Sequence, residues 1–136
     1  MRFFFYGTLM DETVRVAVLG ASARTFVIDP ARLDGWRRAP VRGRPYPIIL
    51  PAAGGSVPGL LADGVDEPAA ARLDRFEGPE YHRLWVEVRR GAGAAVSCWV
   101  YAASDAAVAG AGQWDFDEWC RRDRAAMLRR LAVDRN

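Results

Sequence analysis

Two stretches of this chain combine residue types that can do chemistry. The first is Tyr6-Gly7-Thr8-Leu9, where an aromatic run stops at a glycine and an acidic helix start follows at Asp11 and Glu12. Gly7 permits positive φ, and successive backbone N–H groups in such a turn can converge on an anion. A nearby helix N-terminus adds partial positive charge. The same spacing also describes an ordinary strand-to-helix turn. The second is Glu77, in Leu73-Asp74-Arg75-Phe76-Glu77-Gly78. A carboxylate in the last turn of a helix faces the negative end of the helix dipole, a mismatch of about 0.3–1 kcal/mol. Its neighbours Leu73 and Phe76 are apolar. Both effects raise its proton affinity, the direction a general base near neutral pH needs. The alternative is a solvent-facing carboxylate paired with Arg75 or Arg83.

The remaining reactive residues are poorer candidates. Cys98 alternates with Ser97 and Trp99 along an expected strand, and Cys120 falls on the inner face of an expected helix; both read as small apolar packing residues. The one histidine, His82, shares a strand face with Leu84 and Val86 and reads as a core or edge histidine. A single histidine excludes a His-rich catalytic metal site, and two cysteines make no disulfide framework. There is no Gly-x-Ser-x-Gly elbow, Cys-x-x-Cys pair, Walker loop or Rossmann fingerprint. Arg37, Arg38, Arg42 and Arg44 cluster with Trp36 and Tyr46. Such a stretch can touch nucleic acid, but it more often forms a solvated rim.

The positioning elements follow from pattern. Residues 2–6 are an aromatic run expected to form a buried strand. A helix is expected from Asp11–Glu12 to about Leu19, with Gly20 past its end and Val14, Ala17, Val18 and Ala21 as its apolar stripe. Strands are expected at 25–28, 33–38, 48–50 and 59–65, with the Pro- and Gly-rich Pro51–Pro58 as a turn. Asp66-Glu67-Pro68 opens a second helix, ended by Gly78-Pro79. Residues 81–90 and 95–101 form a hairpin about Gly91-Ala92-Gly93. Asp115 with Glu118 resembles a capping box and starts one terminal helix to about Val133. Phe116, Trp119, Cys120, Met127, Leu128 and Leu131 are its expected buried face. This order argues for an α+β fold with a mostly antiparallel, strongly curved sheet that can close into a small barrel.

Composition narrows the function. The 136 residues suit one domain over 1–136, and 51% apolar with 26% charged residues is ordinary for a globular chain. A formal charge of +2 is too balanced for a dedicated nucleic-acid binder. All 19 basic residues are Arg, which fits the coding bias of a GC-rich genome better than phosphate recognition. No run nears the roughly 20 apolar residues of a membrane span, and no cleavage signal follows Phe3-Phe4-Phe5. The expectation is a cytoplasmic protein with no membrane or nucleic-acid partner.

Taken together, several segments resemble the gamma-glutamylcyclotransferase-like superfamily, in its avirulence-induced or gamma-glutamylamine cyclotransferase branch. They are Phe4-Phe5-Tyr6-Gly7-Thr8-Leu9, Gly43-Arg44-Pro45-Tyr46-Pro47-Ile48, Val57-Pro58-Gly59 and the block from Leu73 to Gly78 with Tyr81, Arg83 and Val86-Glu87-Val88. Trp99-Val100-Tyr101 resembles the last family strand. The correspondence runs in order over about residues 3–101, and Trp114-Asp115-Phe116 to Trp119 looks like a closing helix. Met10 and Leu60-Leu61-Ala62 depart from the common pattern.

The resemblance implies a barrel of five to seven strands flanked by helices. It implies that Tyr6, Gly7, Thr8 and Leu9 hold a gamma-glutamyl group and that Glu77 is the acid/base. The implied reaction is intramolecular aminolysis of a small gamma-glutamyl amide, releasing 5-oxoproline and an amine or amino acid. The nucleophile is the substrate's own amine, so neither metal nor cofactor is expected. Tyr81 and Arg83 can wall the pocket, or Arg83 can pair with a nearby acid. The rival expectation is a non-catalytic module of the same fold that binds a carboxylate metabolite.

Overall fold

The computed structural model describes residues 1–134. Its sheet begins with β1 (Arg2–Phe5). The short helical turn Thr8–Met10 links it to α1 (Glu12–Leu19), whose first turn is capped by the Asp11 carboxylate accepting from Val14 N at 3.0 Å. β2 (Val27–Pro40) and β3 (Pro47–Asp63) follow as one long hairpin. α2 (Glu67–Glu77) starts at Asp66, which accepts from Ala69 N at 2.9 Å, and stops at Gly78, in the left-handed region at φ 70°. β4 (Tyr81–Arg90) and β5 (Ala94–Ala103) form the second hairpin.

The five strands close in the order β1-β3-β2-β4-β5. β1 runs parallel to β5 and antiparallel to β3, and the other pairings are antiparallel. The fold is therefore a small, mostly antiparallel barrel flanked by helices, at the lower end of the expected strand number. One further adjustment concerns the long hairpin. The expected strands 25–28 and 33–38 are parts of β2, with Thr25 in a preceding helical turn. The expected turn Pro51–Pro58 is instead a bulged stretch of β3. Asp34 pairs with Ser56 but Trp36 pairs with Pro51, so residues 52–55 loop out while the ladder resumes on both sides. The Pro and Gly content is a local turn signal, absorbed here by a bulge because β2 pairs on either side of it.

The terminal helix is also interrupted. α3 (Phe116–Arg122) ends at Asp123, and α4 (Arg124–Asp134) begins at once. The break places Arg124 against α1, with Nε 2.8 Å from Asp11 Oδ1 and Nη2 2.9 Å from Thr13 Oγ1.

Strand alternation splits the core in two. Phe4, Leu33, Ile49, Val57, Leu61, Val88, Cys98 and Val100 fill the barrel. Phe3, Phe5, Val14, Leu19, Leu73, Trp114 and Trp119 pack between the barrel and its helices. β1 thus buries both faces, which is why its sequence is continuously apolar rather than alternating. Gly59 is required where β3 crosses β1, since a Cβ there would run into the Phe5 carbonyl oxygen and lie 2.6 Å from Phe4 Cζ. Among the described residues, no helix is long and apolar enough to cross a membrane.

Candidate active site

β1 ends by turning Tyr6 into the barrel, where the phenol donates to the Tyr101 carbonyl at 2.6 Å. The chain then makes the tight turn Gly7–Met10, closed by Met10 N to Gly7 O at 3.0 Å and Asp11 N to Thr8 O at 3.1 Å. Gly7 has φ −121°, so positive φ is not the reason for glycine. Crowding is: a Cβ would sit 3.1 Å from Pro47 Cγ and 3.2 Å from its Cδ.

Two arginines grip the carbonyls of this turn. Arg38 Nη1 donates to Tyr6 O at 2.8 Å. Arg15 Nη1 donates to Leu9 O and Met10 O, each at 2.8 Å, from a nearly buried position on α1. With these oxygens committed, the N–H groups of Gly7, Thr8 and Leu9 donate in none of the turn or loop hydrogen bonds. They remain available to an acceptor, as an anion-binding turn requires. Arg38 therefore belongs to the loop's support, not to the solvated rim expected of its cluster. Its guanidinium also lies 5.1 Å over the Trp114 ring.

A cavity of about 200 Å³ lies beside this turn. Tyr6, Gly7, Thr8 and Leu9 line it, and so do Phe76 and Glu77 from the end of α2. Tyr46, Tyr81 and Tyr101 complete the set, so all four tyrosines of the chain face one space. Met127 and Arg130 of α4 and Glu80 also contribute. Tyr81 donates to the Pro47 carbonyl at 2.8 Å, and Tyr46 to the Glu80 carboxylate at 3.2 Å.

Glu77 is crowded by protein yet partly accessible, as a side chain lining a cavity must be. Burial pushes its carboxyl up to about 8, and the negative charges of Asp74 and Glu80 act in the same direction. Neither expected partner neutralises it. Arg83 instead pairs with Asp74 at 3.0 Å and lies over the rings of Trp99 and Phe3. Desolvation raises Tyr6 well above the ordinary phenol range, and the charge of Glu77 adds to it. Tyr81 and Tyr101 are raised for the same leading reason. At neutral pH the cavity is thus walled by neutral phenols and by two carboxyl groups, of which Glu77 is held poised to gain or lose a proton.

The other sequence candidates lie elsewhere. Cys98 is inside the barrel, where burial pushes its thiol up to about 12, and Cys120 is half-buried on α3. His82 is exposed, paired across the hairpin with Ala102, rather than in the core. Among the described residues no group of three or more His, Cys, Asp or Glu side chains gathers as a metal site. Sequence reasoning missed Tyr46, Tyr101, Met127 and Arg130 as cavity residues. Nothing in the positions 46, 101, 127 and 130 groups them before the barrel closes and α4 packs beside it.

The sequence model of the gamma-glutamyl cyclotransferase, AIG2-like, family matches residues 3–121. This chain belongs to that family. Protein AIG2 C of Arabidopsis thaliana is 34% identical over 119 residues, which cover 85% of this chain and 70% of the relative. The fold agrees with an Arabidopsis thaliana protein solved in solution, at TM-score 0.71 and 30% identity over 94% of this chain and 85% of the other. A solved structure named gamma-glutamyl cyclotransferase superposes at TM-score 0.62 over 76% of this chain and 66% of its own, with 19% identity, a likeness of fold alone. The family match extends past the hairpin into α3 and takes in the Trp114–Trp119 segment.

Proposed function

We propose that this AIG2-like chain is a gamma-glutamyl cyclotransferase, in which Glu77 moves the protons and the Tyr6–Leu9 turn holds the substrate. The observation that carries this reading is the single 200 Å³ cavity lined by both Glu77 and residues 6–9. In the reaction the α-amine of a gamma-glutamyl amide attacks its own γ-carbonyl carbon. The new C–N bond closes 5-oxoproline, and the old C–N bond breaks to release the amine. Two protons leave the α-nitrogen and two arrive on the leaving nitrogen, so the acid/base group must work in both directions.

A carboxyl near 8 suits this task. A carboxyl raised this far lies much closer in proton affinity to the substrate's α-ammonium than an ordinary carboxylate does, which favours proton transfer in both directions. The free N–H groups of Gly7, Thr8 and Leu9 suit either the substrate α-carboxylate or the oxyanion that develops on the γ-carbonyl. One oxyanion donor is worth about 2.7–4 kcal/mol. The cramped cavity favours the folded-back glutamyl conformer, and such positioning supplies up to about 7–11 kcal/mol of a barrier.

The test is direct. Purified protein incubated with a panel of gamma-glutamyl amino acids and amines should release 5-oxoproline from at least one, and Glu77→Gln should not. Tight binding of 5-oxoproline with no turnover of any donor would replace the catalyst by the carboxylate-binding module.

A further inference from the structure

The cyclisation cavity is small. Sites that bury a drug-sized ligand run about 300–1,000 Å³, whereas this cavity measures about 200 Å³. A leaving amine longer than a few atoms must therefore extend beyond it. Adjoining it is a groove of about 580 Å³ between α1, α2 and α4. Phe76, Met127 and Arg130 line both spaces. Beyond those shared residues the groove has an apolar floor of Ala17, Val18 and Leu131, and its remaining wall is Arg72 and Arg75. It thus carries three arginines and no acidic side chain. Arg72 is partly committed, donating to the Leu19 carbonyl at 3.0 Å. Arg75 and Arg130 are exposed and, among the described residues, make no ion pair.

From this we infer that the groove is the leaving-group subsite, and that it selects gamma-glutamyl conjugates whose leaving amine carries an acidic group beyond an apolar stem. The inference rests on the cyclotransferase reading and adds the substrate class. Charge complementarity decides the occupant: three guanidinium groups repel a cationic amine and attract a carboxylate. Geometry decides the stem. Arg72 precedes Glu77 by five residues on α2, about 7–8 Å along the helix axis, and the surface shared with the cavity is Phe76 and Met127 with Arg130 at the junction. An acidic group directly on the first carbon of the amine would meet Arg130 but stop short of Arg72, whereas a longer apolar stem carries it into the groove toward all three arginines. Glu80, the other acid lining the cavity, is occupied by the Tyr46 hydroxyl.

The experiment compares 5-oxoproline release from gamma-glutamyl-6-aminohexanoate, from its neutral terminal amide, and from gamma-glutamylglycine. The wild-type kcat/KM for the hexanoate should exceed that for the amide by about five- to tenfold, mainly through KM, as befits exposed ion pairs. Arg130→Gln and Arg75→Gln should each bring that ratio toward one, while Arg129→Gln, on the neighbouring surface, should preserve it. Equal wild-type turnover of acid and amide, or turnover of gamma-glutamylglycine alone, would overturn the subsite and leave the cyclotransferase standing. Turnover of none of the three, nor of any member of the broader gamma-glutamyl panel, would overturn both.

Discussion

The Tyr101 hydroxyl donates to the Asp74 carboxylate at 2.6 Å, tying the end of β5 to α2 three residues before Glu77. Residues three apart on a helix share a face, so this bond sets the rotation of the helix end that presents Glu77 to the cavity. Arg83 completes the clamp from β4 at 3.0 Å. Removing the hydroxyl in Tyr101→Phe should cost about 1 kcal/mol of stability, since the partner carboxylate is well exposed. It should also lower kcat more than it raises KM. Denaturant melts together with steady-state kinetics check both; an unchanged kcat would reduce the bond to a purely structural one.

Glu77→Gln keeps the side-chain shape and removes the proton carrier. The expected loss in 5-oxoproline release is about 10²–10⁴-fold, with the far-ultraviolet spectrum unchanged. Activity within a few-fold of wild type would remove Glu77 from the chemistry.

The same carboxyl couples stability to pH. Its folded value near 8 lies above its usual 4.5, so between these values the folded chain holds a proton that the unfolded chain has lost. That contribution is full below about 4.5 and disappears as pH rises through about 8. Glu77→Gln should therefore melt above wild type at pH 9 and close to it at pH 5, by an amount on the order of a few kcal/mol at most. A difference in melting temperature that does not vary with pH would contradict the burial of this group.

Catalysis should follow the same group with the sign reversed. The productive pair is ionised Glu77 with an ammonium substrate, so kcat/KM should climb as pH approaches about 8 from below. It should fall again once the free substrate amine deprotonates. Because the negative charge of Glu80 helps hold the Glu77 carboxyl up, Glu80→Gln should move the acid limb to lower pH. A limb fixed in place would assign the titration to another group.

The turn depends on its carbonyl clamps. Arg38→Met removes the donor to Tyr6 O and should raise KM by roughly tenfold, the scale of one charge-assisted hydrogen bond. Arg38→Lys should recover part of the loss, because one N–H suffices for that bond. Gly7→Val should be worse than Gly7→Ala, since its extra methyls press further into Pro47. Substrate titrations on the four variants test the ordering.

Local signals were strong enough to be read along the chain. The caps at Asp11, Asp66 and Asp115, the glycine stops at Gly20 and Gly78, the doubly buried β1 and the 81–101 hairpin are all legible because each is set by residues within a turn or two of one another. So is the unusual placing of Glu77 at an apolar helix end. What stayed hidden required the barrel to close. The Pro51–Pro58 turn signal yielded to β2 pairing on both sides of it, and the terminal helix broke where Arg124 meets Asp11. Gly7 is glycine because Pro47, forty residues away, comes to lie against it. Likewise, four tyrosines and Glu77 share one cavity only because β1 pairs between β3 and β5. Short-range hydrogen bonding and side-chain periodicity are written in neighbouring residues; desolvation, crowding and charge coupling depend on which distant segments the closed sheet brings within a few ångströms.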